Sequence, residues 1–279
     1  ITPGTAVSGT LNPATSSQLY RFDVTAGERF YFDRSANAGG DRYWRLLDPY
    51  GRPVWGPSGI GGDIDVTTLA YSGSYTLLVE GRYYVGGSAS YSFNVQPVSD
   101  DTTALVLDAV SSGSIAPAGQ RDFYNFTLDA GRTLYFDSQT SNSSLNWTLT
   151  GPRGSVVAAR AFTNSDSYDG FSLLELPPGD YTLMVDASGR TTGDYAFALR
   201  DLASATVITP GTPVAGVLDP ANASAFYRFD ATAGDRFFFS ITERTGGDPF
   251  WRLLDPDGRV VFGPSHMAAG GQYDIDVTT

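Results

Sequence analysis

The sequence predicts an all-β protein made of tandem antiparallel β-sandwich domains. Three observations predict it. The chain repeats itself at domain length, its apolar and aromatic residues alternate with polar ones in short runs, and Gly/Pro turn signals separate those runs every 8–12 residues or about that.

The repeat comes first. The string ITPGTAVSGTLNPATSSQLYRFDVTAGERFYF, from Ile1, returns as ITPGTPVAGVLDPANASAFYRFDATAGDRFFF, from Ile208. The offset is 208 − 1 = 207 residues, and roughly 60 % of positions match over Ile1–Ser58 against Ile208–Ser265. A more divergent middle copy, GSIAPAGQRDFYNFTLDAGRTLYFD from Gly113, follows the same template at an offset near 113 − 9 = 104. The order is A–B–A′, in units of domain size. The expected boundaries are 1–97 for repeat A, 98–202 for repeat B and 203–279 for repeat A′. Copy A runs past GDIDVTT into SGSYTLLVEG and ASYSFNV, which A′ lacks after YDIDVTT. A′ is therefore expected to be a truncated sandwich without its last two strands, and the chain a window onto a longer array.

Within each copy the strands follow from a period of two. Tyr20, Phe22 and Val24 share one phase, as do Tyr124, Phe126, Leu128 and Tyr227, Phe229, Ala231. The turns TAGE, DAGR and TAGD lead into strands carrying Phe30 and Phe32, Leu134 and Phe136, Phe237 and Phe239. Trp44, Trp147 and Trp251 anchor the next strand, and the Pro-x-Gly after it is hairpin chemistry: Pro presets φ and Gly accepts positive φ. GSYTLLV and GDYTLMV, then SYSFNV and DYAFAL, supply the closing strands. That makes about eight strands per copy, with no helical period of useful length.

Composition narrows the function. Hydrophobic residues make up 41 % and aromatics 13 %, enough to bury a core of this size. The net charge is −12, which argues against nucleic acid and anionic membrane as partners. No apolar run approaches the roughly 20 residues that a membrane helix needs. All 18 basic residues are Arg, which excludes Schiff-base lysines; the absence of Cys excludes disulfides, thiolate metal sites and cysteine nucleophiles.

The motifs YRF or YNF, then AG, then LLDPxG, then G-x-Y-T-L-x-V and a closing Y-x-F strand resemble the bacterial pre-peptidase C-terminal domain. The resemblance covers all three copies. It implies a jelly-roll sandwich, a secreted or surface location, and a non-catalytic role in attachment, secretion or spacing. It also implies calcium near the linker that precedes a domain in some relatives.

Candidate chemistry is sparse. The one histidine, His266, lies in a Gly-rich loop of one copy, unsuited to a repeated triad or a zinc site. The four Glu are scattered, so no acid pair stands out, and no enzyme is expected. Calcium would want several oxygens, mainly from Asp. The candidates are Asp63 and Asp65, their repeats Asp274 and Asp276, and the linker pair Asp100 and Asp101; turn-forming and solvated Asp residues are the plainer account. Trp55, Tyr83 and Tyr84 are the candidates for an exposed ligand-binding face, while most other aromatics fall on the inward phase. The expected function is a structural fibre, stalk or spacer whose partners are neighbouring repeats or other copies. The rival is an attachment module for extracellular matrix or polysaccharide.

Overall fold

A computed structural model of the chain describes residues 1–38, 40–165, 173–267 and 275–278. The fold is all-β, as the alternation predicts: strands in largely antiparallel sheets, two short 3-10 turns, and no α-helix among the described residues. The chain forms two compact units. The first comprises Ile1–Asp101 together with Ile115–Asp122 and Asp186–Gly193; the second comprises Thr102–Ser114, Phe123–Val185 and Asp194–Thr279.

The first eight strands are β1 (Val7–Leu11), β2 (Ser17–Val24), β3 (Arg29–Ala38), β4 (Arg42–Leu47), β5 (Pro53–Gly59), β6 (Ile64–Thr68), β7 (Gly73–Gly81) and β8 (Ala89–Val98). They make two sheets, ordered β1-β8-β3-β6 and β2-β7-β4-β5. The pairs nest, first with last and second with next-to-last, which is jelly-roll winding. Inward side chains of both sheets, among them Phe22, Phe32, Trp44, Tyr75, Leu77 and Phe93, form one buried cluster. Each such side chain contributes about 1.5–3 kcal/mol by leaving water.

The next nine strands repeat the plan: β9 (Asp101–Ala104), β10 (Val110–Ile115), β11 (Asp122–Leu128), β12 (Arg132–Ser138), β13 (Leu145–Gly151), β14 (Gly154–Ala161), β15 (Leu173–Leu176), β16 (Gly179–Ala187) and β17 (Gly193–Asp201). The sheets are β10-β17-β12-β15 and β14-β13-β16-β11-β9. Removing β9 leaves the same nested order. Phe136 stacks on Trp147 at 4.0 Å between ring centroids, at the centre of this second core.

Six more strands follow: β18 (Thr206–Val207), β19 (Tyr227–Arg228), β20 (Arg236–Phe239), β21 (Phe250–Leu254), β22 (Val260–His266) and β23 (Ile275–Thr278). β20 pairs with β23 and β21 with β22, both antiparallel, as β3 pairs with β6 and β4 with β5. Phe239 meets Trp251 edge-on at 6.1 Å, as Phe32 meets Trp44 at 6.5 Å.

The extra strand β9 is the linker between repeats A and B. Its amides bond to the next repeat: Asp101 N–H donates to Arg121 O at 3.1 Å, and Leu105 N–H to Asn125 O at 2.8 Å. The second linker does the same, with Thr206 N–H donating to Phe226 O at 3.0 Å and Ile208 N–H to Arg228 O at 2.8 Å. β18 thus runs parallel to β19 as a short edge strand.

One polar pair recurs inside the sandwiches. Tyr20 and Tyr91 hydroxyls lie 2.6 Å apart, and Tyr124 and Tyr195 hydroxyls 2.9 Å apart. Burial first, and then the bond to Tyr20, pushes the Tyr91 phenol above its usual range. The neighbouring strand must give way to the phenols. A Cβ on Gly9 would sit 2.4 Å from Tyr91 Oη, and one on Gly113 would sit 2.4 Å from Tyr195 Oη. Gly9→Ala should therefore destabilise the first unit by about 1–3 kcal/mol through overpacking. Gly86→Ala, where a Cβ meets open space, should stay within about 0.5 kcal/mol. Urea denaturation of the two variants checks this; equal midpoints would refute the packing account.

Candidate functional site

A polar cluster of the first unit surrounds Asp63. Arg190 grips it with two bonds, Nε to Oδ2 at 2.5 Å and Nη2 to Oδ1 at 2.6 Å. The same guanidinium reaches Asp33 Oδ1 at 2.6 Å and the Arg34 carbonyl. Tyr31 Oη and the Arg34 amide also donate to Asp63, each at 2.9 Å. Burial alone would raise the Asp63 carboxyl. The bonds from Arg190, Arg34 and Tyr31 outweigh it and hold the pKa at about 2. Tyr31 is pushed upward by burial and by its bond to Asp63, and the Asp63 bond raises Arg190. Local geometry explains the supply of groups. Tyr31 and Asp33 share the outward phase of β3, and Asp63 precedes β6, the neighbour of β3. Arg190 comes from the loop between β16 and β17.

A second cluster holds the linker. Asp100 pairs with Arg29 and accepts the Arg121 amide at 3.1 Å. Asp101 accepts from Gln120 Nε2 at 3.1 Å, and the same amide group donates to Asp122 at 2.9 Å. Gln120 Oε1 takes the Ala116 amide at 2.9 Å, so this buried glutamine closes the loop 115–122. Gly119 in that loop lies flush on Tyr31 and Val66: a Cβ there would be 2.4 Å from Val66 Cγ2.

The second unit has a counterpart. Phe226 packs on Tyr135 at 5.2 Å between centroids. Asp137 is buried, which raises its pKa, against hydrogen bonds from Gln139 and Ser224 and the charge of Arg200. Tyr135 and Asp137 stand in β12 where Tyr31 and Asp33 stand in β3.

The remaining candidates separate. Trp55 is half-buried, edge-on to Phe32 at 5.0 Å and to Trp44 at 5.4 Å, so it extends the core. Tyr83 and Tyr84 are exposed on the loop between β7 and β8, edge-on at 5.2 Å; Tyr84 Oη donates to Asp41 at 2.8 Å. Arg82 lies over Tyr43 at 4.9 Å and Tyr84 at 5.7 Å. Arg45 pairs with Glu80 at 3.1 Å. An aromatic site not singled out from the sequence is Tyr50–Arg52–Tyr71, with the Arg52 guanidinium 4.9 and 5.0 Å from the two rings. Its signal was the hairpin YGR, where Asp48 also pairs with Arg52 at 2.8 Å. His266 Nε2 lies 3.1 Å from Asp248 Oδ1, which Arg244 also holds at 2.8 Å.

For calcium the donors must converge on one point. Asp63 faces Arg190, and Asp100 faces Arg29 and Arg121, while Asp101 faces Gln120. Asp65 is exposed and caps the amide of Val66 at 2.7 Å. Among the described residues no three acidic or histidine side chains group as metal ligands. These four aspartates are engaged by arginine, glutamine and backbone donors of the protein itself. Asp274 lies outside the described residues, and of Asp276 only the backbone, paired with Phe238, is described. Among the described residues no helix is long and apolar enough to cross a membrane.

No protein family and no curated protein matches the chain. Among solved structures, the chain is similar to the pre-peptidase C-terminal domain of a collagenase from Bacillus anthracis. The identity is 18 % and the TM-score 0.27, over 38 % of this chain and 99 % of that one. It is also similar to the CUB1-EGF-CUB2 region of human MASP-1/3, at 7 % identity and a TM-score of 0.24, over 69 % of this chain and 99 % of that one. A Sulfolobus turreted icosahedral virus structure is similar at 12 % identity and a TM-score of 0.20, over 70 % and 91 %. The first of these is of the domain type that the turn motifs resemble. Scores of this size carry no functional argument, and the fold rests on the strand order above.

Two outcomes follow from the geometry. Asp63 has its pKa depressed in the folded state, so its contribution is complete above the unfolded value near 4 and fades as pH falls towards about 2. Asp63→Asn should lower the melting temperature at pH 6 and flatten its decline between pH 4 and 2; parallel acid limbs in variant and wild type would contradict the cage. Millimolar calcium added after EDTA should leave the melting temperature unchanged, because a ligand selective for the folded state would raise it. Thermal scans in both buffers measure this.

Proposed function

We propose that this chain is a non-catalytic extracellular repeat module, part of a secreted or surface array that acts as a fibre, stalk or spacer. The observation that carries the proposal is the linker. Residues 101–105 are bonded as an edge strand, and the loops 115–122 and 186–193 belong to the same compact unit as repeat A. A linker spent in backbone pairing suits a spacer more than a flexible tether. The division into repeats A, B and A′ underlies this reading. The Asp-rich, Lys-free and Cys-free composition is consistent with an exterior setting. So is the sequence resemblance of each repeat to a secreted bacterial domain.

A second reading, an attachment module for polysaccharide or extracellular matrix, is favoured by Tyr83 and Tyr84. Exposed tyrosines beside an arginine are a surface on which sugar rings or peptide can stack. Retention on a polysaccharide or collagen matrix that is lost in Tyr83→Ala would support it.

The array reading is tested by hydrogen exchange. The amides of Asp101, Leu105, Thr206 and Ile208 should exchange at least about a hundredfold more slowly than an open loop, as strand amides do. Linker amides that exchange as fast as unstructured chain would remove the spacer proposal.

A further inference from the structure

The chain holds four Asp–Pro bonds, which follow Asp48, Asp219, Asp248 and Asp255. An aspartate carboxylate can close a five-membered ring on its own backbone carbonyl. Proline weakens the bond beyond that carbonyl, because its nitrogen belongs to a tertiary amide and leaves as a basic amine. Two of the four carboxylates are tied into turns. Asp48 Oδ1 accepts the amides of Tyr50 and Arg52, each at 2.9 Å, and its Oδ2 accepts Arg52 Nε at 2.8 Å. Asp255 Oδ1 accepts the Arg259 amide at 2.8 Å.

Asp248 is held differently. Both of its partners sit on one oxygen: Arg244 Nη1 donates to Oδ1 at 2.8 Å, and His266 Nε2 lies 3.1 Å from the same atom. Among the described residues nothing donates to Oδ2. The peptide bond itself is clamped on both sides. Arg244 Nη1 also donates to the Gly247 carbonyl at 2.6 Å, and the Met267 amide donates to the Pro249 carbonyl at 2.9 Å. The Asp248 side chain is 76 % exposed, so water reaches it. Arg244 first, and then His266, hold its carboxyl below the usual range, which keeps it ionised. Repeat A lacks this set. At the offset of 207 it keeps the aspartate as Asp41, but has Asn37 for Arg244, Arg42 for Pro249 and Gly59 for His266.

We propose that the chain cuts itself once at the Asp248–Pro249 bond, with Asp248 as nucleophile and His266 as proton donor. Oδ2 attacks the Asp248 backbone carbonyl carbon. The new C–O bond closes a cyclic anhydride as the C–N bond to Pro249 breaks. The departing nitrogen takes the proton of the His266 imidazolium. Of the two groups on Oδ1 only the imidazolium can give up a proton, since a guanidinium keeps its own. Water then adds to the anhydride, and the neutral imidazole takes a proton from it. The sum is one water consumed, a carboxyl group at Asp248 and an amine at Pro249. Arg244 is a positioning residue, fixing the carboxylate and the preceding carbonyl together. One cut per chain is not turnover, and the proposal is independent of the array reading. The cut falls before β21, and β20 on one side pairs with β23 on the other, so the two pieces stay together until denatured.

Mass spectrometry of the denatured chain after timed incubation tests it. The purified 279-residue protein should release the fragment 249–279, of 279 − 248 = 31 residues, with Pro249 at its N-terminus. The other three Asp–Pro bonds report ordinary acid lability in the same sample, and should break at least about a hundredfold more slowly. In urea the Asp248 bond should fall to their rate. Cleavage should quicken from about pH 8 to about pH 5, the range in which histidine gains its charge, against the fixed charge of Arg244. Asp248→Ala should not cut at this site. His266→Ala should cut at least about a hundredfold more slowly, and added imidazole should restore the rate, which a merely misfolded variant would not show. In water enriched in oxygen-18, label should enter both carboxyl groups of Asp248, because water can open the anhydride at either carbonyl. Four results would each overturn the proposal. They are a folded chain that cuts this bond no faster than the other three, a rate that urea leaves unchanged, a His266→Ala variant that cuts like wild type or that imidazole does not rescue, and label confined to the backbone carboxyl.

Discussion

A sheet edge exposes amides and carbonyls that must bond to something, and in this protein the linker meets that demand. β9 lies along β11 and β18 along β19, so each connection is spent as backbone pairing of the repeat it enters. The segment after each linker strand start is stitched as well. Gly4 N–H donates to Val95 O at 2.8 Å, and its counterpart Asp108 N–H to Leu199 O at 2.9 Å. Because these bonds occur at matching positions, they belong to the repeat and not to accidents of one copy. The edge that would otherwise invite strand addition from strangers is occupied by the chain itself.

What surrounds the linker is polar, and the composition explains why it works. Aspartate is short, accepts several bonds, and sits well at strand ends and turns. Arginine offers a planar fork that serves two carboxylates at once, which an ammonium would do less well. Arg190 bridging Asp33 and Asp63 is that chemistry in use. Asp63 is thereby kept ionised in a partly buried place, and Asp100 is held between Arg29 and the Arg121 amide. An all-Arg, Asp-rich sequence is well matched to contacts of this kind.

The sandwich plan was legible because alternation and turns are local signals. Phe22, Phe32, Trp44 and Tyr75 are buried where the period of two puts them. Trp55 is harder to locate by alternation. β4 and β5 slip register between Trp44 and Leu46 and again before Leu47, so a strict phase count across this hairpin loses its meaning. The contact of Arg190 with Asp63 spans 127 residues and joins a loop to a strand end. Nothing in local pattern marks it, and a loop arginine looks the same whether free or caged. Asp63 and Asp100 did stand out as functional candidates, and both are engaged by arginines. Their positions are visible in the sequence, while the arginines that hold them needed the fold.

The two sets of packed loops differ in chemistry, and that difference reaches beyond geometry. The half-exposed Arg190 cage is held by charge, which dissolved ions screen over about 8 Å at physiological strength and over less in brine. The Phe226–Tyr135 contact is apolar, and strongly hydrated salts tighten it by being excluded from surface. Rising salinity thus loosens one contact of the molecule while it firms the other. Drying and dilution therefore act on the two contacts in opposite senses.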